Sequence, residues 1–236
     1  MSSPAPTALP VPTWRRCASS TTLRPDMSDS PDRRPIAARG LRPVVAAADW
    51  LIRRRASPDA ISILGMVSAA LAGLALALTR EMPDAARPLW LLGALLVQGR
   101  LMANLLDGMV AIGRGVASPT GELFNEVPDR VSDTAVLCGL GWAAGSPALG
   151  LGAALAAMAT AYVRAVGRGV GTRSDFSGPM AKQQRMALVT ALAVACAVLP
   201  AAWTAGWPAA ALWIITLLSL LTAARRLGYV AKALRA

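Results

Sequence analysis

Six long apolar segments constrain this chain more than any other feature. They cover approximately residues 60–78, 88–111, 127–144, 148–166, 186–203 and 209–224. Each is close to the ~20 residues that a helix needs to cross ~30 Å of hydrocarbon. Charged residues are nearly absent from most of these segments and make up only 16% of the chain, which excludes an ordinary soluble helical bundle. The sequence therefore predicts an all-α polytopic membrane protein with six transmembrane helices.

The ends of the chain differ in composition from this membrane domain, which we place at residues 41–230. Residues 1–40 are rich in Pro, Ser, Thr and Arg and are expected to form a disordered tail. Met27 offers a shorter start, so residues 1–26 are expected to be dispensable. Residues 231–236 are predicted to form a short basic C-terminal tail.

The first part of the membrane domain has the pattern of an amphipathic helix. Between residues 41 and 55, apolar residues recur at helical spacing and a run of arginines closes the segment. The residues concerned are Val44, Val45, Ala48, Leu51 and Ile52, followed by Arg53, Arg54 and Arg55. A helix with this pattern is expected to lie on the membrane surface.

Basic residues are concentrated in alternate loops. The loops at 145–147 and 204–208 carry no charge, whereas the connection at 164–185 carries five basic residues and one acidic residue. Loops rich in Lys and Arg stay on the cytoplasmic side. We therefore expect an integral protein of a bacterial-type inner membrane, with both termini and the 112–126 loop facing the cytoplasm. Contact with membrane lipids accounts for the net charge of +11, so no nucleic-acid partner is expected.

The residue types present limit the chemistry. Histidine is absent from the sequence, which excludes imidazole bases, imidazole metal ligands and Ser-His or Cys-His nucleophiles. The three cysteines do not have metal-binding spacing. Any catalysis must therefore use carboxylates, amides and basic groups.

Carboxylates cluster at one end of the second and third apolar segments. Five of the 13 acidic residues lie within 27 residues there, namely Asp107, Glu122, Glu126, Asp129 and Asp133. Carboxylates at membrane depth are costly and usually functional. Asn104 and Asp107 share one helix face. Asn125, Asp129 and Asp133 share another, so two helices can direct oxygen ligands at one point, a set that suits a hard cation such as Mg²⁺ or Mn²⁺.

These residues form a pattern that resembles the signature of the CDP-alcohol phosphatidyltransferase family. That signature is D-x-x-D-G-x-x-A-R-x8-G-x-x-x-D-x-x-x-D, and its register holds from residue 104 to residue 129 without a gap. The matching residues are Asp107, Gly108, Ala111, Gly121 and Asp129. The departures are Asn104 and Asn125 in place of Asp, and Ile112 in place of Arg. Arg114 is a candidate to replace the missing arginine. The resemblance covers about residues 41–230.

The resemblance implies an enzyme of phospholipid synthesis that transfers a phosphatidyl-type group from a CDP-linked lipid to a small alcohol and releases CMP. It implies that the acidic positions hold one or two divalent ions on the diphosphate. Carried over to this chain, the metal ligands would be Asn104, Asp107, Asn125 and Asp129. Asp129 would also act as the catalytic base, and Gly108, Ala111 and Gly121 would leave room for the nucleotide. The resemblance further implies a homodimer.

Simpler explanations of the same residues remain open. Asn125 could cap the start of a helix, because Pro128 fits a first helical turn. Gly108 and Gly121 could serve only helix packing. Asp133 could make a polar contact between helices instead of adding a further carboxylate to the site.

Basic residues form a second candidate set. Arg100 shares a helix face with Asp107, so it is either the partner of a structural ion pair or a contact for substrate phosphate. The other members are Arg164, Arg168, Lys182 and Arg185. These groups can hold an acceptor phosphate or the lipid diphosphate, or they can anchor the loop on the cytoplasmic side.

Two other functions are consistent with this sequence. The substitutions Asn104, Asn125 and Ile112 allow a catalytically weakened relative that binds CDP-linked lipid as a scaffold. The carboxylates within the membrane also allow an ion or proton transporter. Release of CMP from a CDP-linked lipid separates these alternatives from the enzyme.

Overall fold

A computed structural model describes residues 40–116 and 121–235, apart from the side chains at positions 121, 122 and 125. The predictions for residues 1–26 and for the tail before Gly40 lie outside this part. The described part contains helices and no strands, which agrees with the predicted all-α class. Its helices are α1 Arg42–Arg53, α2 Pro58–Glu81, α3 Ala86–Gly113, α4 Gly121–Ala143, α5 Pro147–Gly169, α6 Lys182–Val198, α7 Ala201–Thr204 and α8 Trp207–Ala233.

Local sequence signals set several helix ends. The side chain of Ser57 accepts a hydrogen bond from the backbone N–H of Ala60 at 3.4 Å, and Pro58 occupies the first turn of α2. Proline lacks an N–H, and α6 accordingly ends before Pro200. The predicted segment at 186–203 is therefore divided between α6 and the short helix α7.

The six long helices contact one another in a closed ring. Going around the ring, α2 packs on α3, α3 on α6, α6 on α8, α8 on α5, α5 on α4, and α4 on α2. The helices α3 and α4 are consecutive in the chain but touch only slightly, because α2 packs extensively against both. The two halves of the signature motif therefore lie on helices that are joined through a third helix.

Small residues allow the closest helix contacts. A Cβ atom at Gly139 of α4 would collide with the backbone of Gly73 in α2, and one at Gly73 would collide with the carbonyl of Ala135. The backbones of Gly141 in α4 and Gly150 in α5 also approach within collision distance of an added Cβ. Such close approach strengthens dispersion packing between helices in lipid.

Four helical stretches in the described part are long and apolar enough to cross a membrane. They are Pro58–Glu81, Pro83–Gly113, Pro147–Gly169 and Ala201–Ala233. The other two predicted spans correspond to α4, which carries several charged residues, and to α6, which has only 17 residues. Six helices at the predicted positions are present, and the count of six membrane crossings stays a prediction.

Helix α1 has its buried face against α3. Val44 and Ala48 are buried and pack with Leu105 and Met109, whereas Trp50 is exposed on the opposite side. The helix predicted within residues 41–55 is therefore present, and its apolar face contacts protein. Its position on a membrane surface stays a prediction.

Candidate active site

Asp107 lies in the last two turns of α3 and is buried. The Ser62 hydroxyl of α2 donates a hydrogen bond to its Oδ2 at 2.6 Å, and the backbone N–H of Gly108 donates to its Oδ1 at 2.5 Å. Both carboxylate oxygens are thus fixed by neutral donors. One helical turn earlier, the buried Oδ1 of Asn104 has no hydrogen-bond partner among the described atoms.

Asp129 lies in α4 and is held by two cations from other helices. Arg100 of α3 and Lys182, the first residue of α6, both form ion pairs with its Oδ1. Arg100 is buried, and Gly65 of α2 makes room for it, because a Cβ at Gly65 would lie 2.7 Å from the Arg100 Nη1. The ring order of the helices brings these three groups together although they are distant in the sequence.

A second ion pair lies one turn further along α4. The Nη2 of Arg185 is 2.6 Å from the Oδ2 of Asp133, and both residues are buried. The Nη1 of Arg185 also donates to the carbonyl of Met180 at 3.2 Å. Arg185, expected to bind phosphate, thus contacts Asp133 and the Met180 carbonyl, and its role in binding phosphate stays a prediction.

A guanidinium cluster surrounds Glu126 on another face of α4. Arg164 of α5 forms an ion pair with its Oε1, and Arg130 lies 3.1 Å from its Oε2. Arg168 of α5 lies 3.9 Å from the same Oε1. The Arg164 guanidinium also lies over the ring of Phe176, 5.2 Å from its centroid. Three guanidiniums thus lie near one partly exposed carboxylate, and Arg130 also lies 4.0 Å from the Oδ2 of Asp129.

Helix α8 anchors the connection that leads to Lys182. The Arg226 Nε donates to the Ser177 carbonyl at 3.0 Å, and the Thr222 hydroxyl accepts from the Met180 N–H at 3.0 Å. Gly178 has a φ of +124°, and a Cβ there would collide with Thr222. These contacts fix the backbone just before the residue that reaches Asp129.

Other predicted site residues are placed by the helices alone. Gly108 and Ala111 lie in the C-terminal part of α3, and Gly121 is the first residue of α4. Asn125 lies inside α4, so the interpretation as a helix cap is wrong; its side chain is outside the described part. Arg114 follows α3, where its Nη1 donates to the carbonyl of Ala56 at 2.6 Å.

Ser62, Arg130 and Phe176 belong to this region but were not predicted as site residues, whereas Glu126 was predicted only as a member of the carboxylate cluster. Arg130 could have been found from its spacing of four residues after Glu126, which suits an ion pair within a helix. Ser62 and Phe176 carry no local sequence signal, because their contacts join distant parts of the chain.

The donor set fits a divalent cation at α3. Asp107 supplies a carboxylate, and the unpartnered Oδ1 of Asn104 supplies a neutral oxygen one turn away. Among the described side chains, no group of three Asp, Glu, His or Cys residues could hold a metal ion. Such an ion would therefore depend on amide oxygens and on substrate oxygens as well as on Asp107.

Comparisons with known proteins point to one enzyme family. The chain is similar to the phosphatidylinositol phosphate synthase of Mycobacteroides abscessus, with 29% identity over 194 residues that cover 78% of this chain and 81% of the relative. The enzyme of the same description from Mycolicibacterium smegmatis is 29% identical over 199 residues, which cover 80% and 82%. No protein-family model matches the chain.

Solved structures agree with these relatives. The crystal structure of Mycobacterium tuberculosis phosphatidylinositol phosphate synthase with CDP-DAG bound matches with a TM-score of 0.66 and 25% identity, over 80% of this chain and 94% of that chain. The complex of that enzyme with manganese and citrate matches with a TM-score of 0.64 and 26% identity, over 79% and 88%. Together with the signature motif, these matches support the resemblance of the chain to the CDP-alcohol phosphatidyltransferase family.

Proposed function

We propose that this enzyme of phospholipid synthesis transfers a phosphatidyl group from a CDP-linked lipid to a phosphorylated alcohol and releases CMP. The observation that supports this most directly is the arrangement on α4. Asp129 forms an ion pair with Arg100 of α3, the helix that carries Asp107, and Glu126, three residues before Asp129, lies in the guanidinium cluster. A general base and a phosphate-binding surface are therefore adjacent on one helix.

The donor diphosphate is proposed to bind near Asp107 and Asn104. One solved structure of the M. tuberculosis enzyme has CDP-DAG bound, and another is a complex with manganese and citrate. A divalent ion, Mg²⁺ or Mn²⁺, would neutralise charge on the diphosphate when bound there. Ser62 and the N–H of Gly108 orient the Asp107 carboxylate for this purpose. Gly108, Ala111 and Gly121 would leave space for the nucleotide.

Asp129 is the proposed base. The acceptor oxygen forms a bond to the phosphorus attached to the diacylglycerol, and the bond from that phosphorus to the CMP oxygen breaks. The acceptor hydroxyl proton passes to Asp129. Arg100 and Lys182 fix the position of the Asp129 carboxylate through their contacts with Oδ1. Oδ2, whose nearest cation is Arg130 at 4.0 Å, is the oxygen proposed to take the proton.

The guanidinium cluster favours an acceptor that carries a phosphate group. Arginine guanidiniums match phosphate oxygens in geometry and charge. The members that reach Glu126 are Arg130, Arg164 and Arg168. The relatives are named for the product phosphatidylinositol phosphate, and forming that product by phosphatidyl transfer requires an inositol phosphate acceptor. Inositol phosphate is therefore the first acceptor to test.

The chain is an integral membrane protein, and its finer placement is part of this proposal. Six crossings would put the signature motif and both termini on the cytoplasmic side, where CDP-linked lipids and sugar phosphates meet. The basic residues at the end of α8 support this orientation. α1 is proposed to lie along the same membrane surface, and the family resemblance supports a homodimer.

Release of CMP by the purified protein tests this function. Protein in lipid nanodiscs with CDP-diacylglycerol and Mg²⁺ or Mn²⁺ should release CMP with inositol phosphate or glycerol phosphate, and much less with inositol or serine. Asp129→Asn should lower turnover by about 10²–10⁴-fold. Asp84→Asn removes an exposed carboxylate outside the site and should have no effect. If no acceptor and metal support CMP release, the scaffold function is the better explanation.

A further inference from the structure

The charged groups nearest Asp129, most of them buried, balance one another. The carboxylates of this inner group are Asp107, Asp129 and Asp133, and its basic members are Arg100, Arg185 and the partly buried Lys182. Arg130 also lies 4.0 Å from the Asp129 Oδ2, but it is closer to Glu126, at 3.1 Å, and is counted with that carboxylate. Three negative and three positive charges sum to zero. Buried charges are stable only when they are paired. Asp129 and Asp133 have cationic side chains as partners and require no bound cation, whereas Asp107 has only neutral hydrogen-bond donors.

The residues at the signature positions explain this charge balance. Asn104 and Asn125 each remove a negative charge from the family pattern. Asp129 keeps its carboxylate, but its Oδ1 receives two cationic side chains. A divalent ion that approached this oxygen would meet a guanidinium and an ammonium group in direct contact with it.

We propose that Arg100 and Lys182 are fixed cations that replace a second divalent ion beside Asp129, so that the chain binds one divalent ion, at Asp107 and Asn104. This inference rests on the proposed phosphatidyl transfer, since it assigns the two side chains to neutralisation of the donor diphosphate. Arg100 and Lys182 would then belong to the catalytic machinery. Their role would differ from that of the arginines proposed to bind the acceptor.

Charge arithmetic supports one ion instead of two. Each phosphate of the donor diphosphate, a diester, carries one negative charge. One divalent ion entering with that diphosphate keeps the buried cluster neutral, whereas a second ion would leave it with two uncompensated positive charges. Uncompensated charge in a buried site is strongly unfavourable. Metal and diphosphate should consequently bind together, each weakly without the other.

Counting Mn²⁺ ions tests this inference. The full chain in nanodiscs is titrated with Mn²⁺ while the electron paramagnetic resonance signal of the free ion is followed, with and without CDP as the diphosphate probe. One Mn²⁺ per chain is expected at saturation. CDP should tighten its binding by a factor within the ~5–150-fold range that is typical of coupled ligands. Two ions per wild-type chain would overturn the inference.

Lys182→Met supplies a second readout. Removing the ammonium exposes Asp129, so Mn²⁺ should bind about tenfold more tightly without CDP, while CDP itself binds more weakly. Lys232→Met makes the same change at an exposed position near the end of α8 and should alter neither affinity. Unchanged or weaker Mn²⁺ binding in Lys182→Met would contradict the inference. If this variant does not fold, the number of Mn²⁺ ions bound per wild-type chain tests the inference by itself.

CMP release measured on the same preparation separates the two hypotheses. If the chain binds one ion but releases no CMP, the proposed transfer is contradicted. The single-ion inference would still agree with the measured number of ions. CMP release with two ions per chain would support the transfer and overturn the replacement of the second ion.

Discussion

Arg185 and Asp133 form a buried ion pair, with 2.6 Å between Nη2 and Oδ2, one helical turn from the contact between Lys182 and Asp129. Helices α4 and α6 are thus joined by two successive ion pairs. The outer pair includes the proposed base, whereas the inner pair is sealed from solvent. The Arg185–Asp133 pair can therefore hold Lys182 and Asp129 in position relative to each other.

Removing one member of the inner pair should destabilise the protein. Asp133→Asn or Arg185→Met leaves an uncompensated buried charge, which typically lowers the free energy of unfolding by ~3–5 kcal/mol. The double variant Asp133→Leu with Arg185→Met removes both charges and should recover much of that loss. Thermal unfolding in nanodiscs measures the effect. Additive losses in the double variant would mean that the two residues do not act as a pair.

Arg164 should determine preference for a phosphorylated acceptor. Arg164→Met removes a charged hydrogen-bond donor worth about 1.5–3 kcal/mol, and the KM for inositol phosphate should therefore rise by about 10–100-fold. Its effect on kcat should be small, because Asp129 is unchanged. Arg173→Met makes the same change on an exposed arginine of the same connection. Equal effects of the two variants would indicate a general charge effect and no specific phosphate site.

The glycine contact between α2 and α4 should be sensitive to a single methyl group. Gly139→Ala places a Cβ against the backbone of Gly73 and should destabilise the protein by about 1–3 kcal/mol, the usual cost of overpacking. Gly152→Ala in α5 meets no atom within 4 Å and is the matched control. A helix propensity gain of up to about 1 kcal/mol is expected for that control. Similar unfolding temperatures for the two variants would contradict the close contact.

Topology mapping checks the six crossings. Because basic loops alternate with uncharged ones, reporters fused at Arg235 and within the 145–147 loop should report opposite sides of the membrane. Reporter activity on the same side for both fusions would rule out this topology. It would also place Asp129 away from the cytoplasm.

Helical periodicity predicted the positions of the long helices but not all of their ends. The sixth segment was predicted to stop at residue 224, whereas α8 continues to Ala233 and includes Arg225 and Arg226. Hydropathy falls at these arginines, but arginine is a good helix former. The helix therefore extends beyond the apolar run.

The motif predicted which acidic residues belong to the site but not how they are paired. Spacing places Asp129 and Asp133 on one face and Glu126 off that face. Glu126 pairs with Arg164 and Arg168 of α5, whereas Arg130 lies within 4.0 Å of both Glu126 and Asp129. The partner Lys182 lies 53 residues after Asp129, so their contact depends on the order of helices in the ring. No local pattern encodes that order.

Helix α2 packs between α3 and α4 and thereby aligns the two halves of the motif. Each half of the motif is docked onto α2, so the peptide link between the halves contributes little to their alignment. A chain cut between Gly113 and Gly121 should consequently reassemble from two fragments. The second fragment, which begins with α4, would pack on α2 of the first.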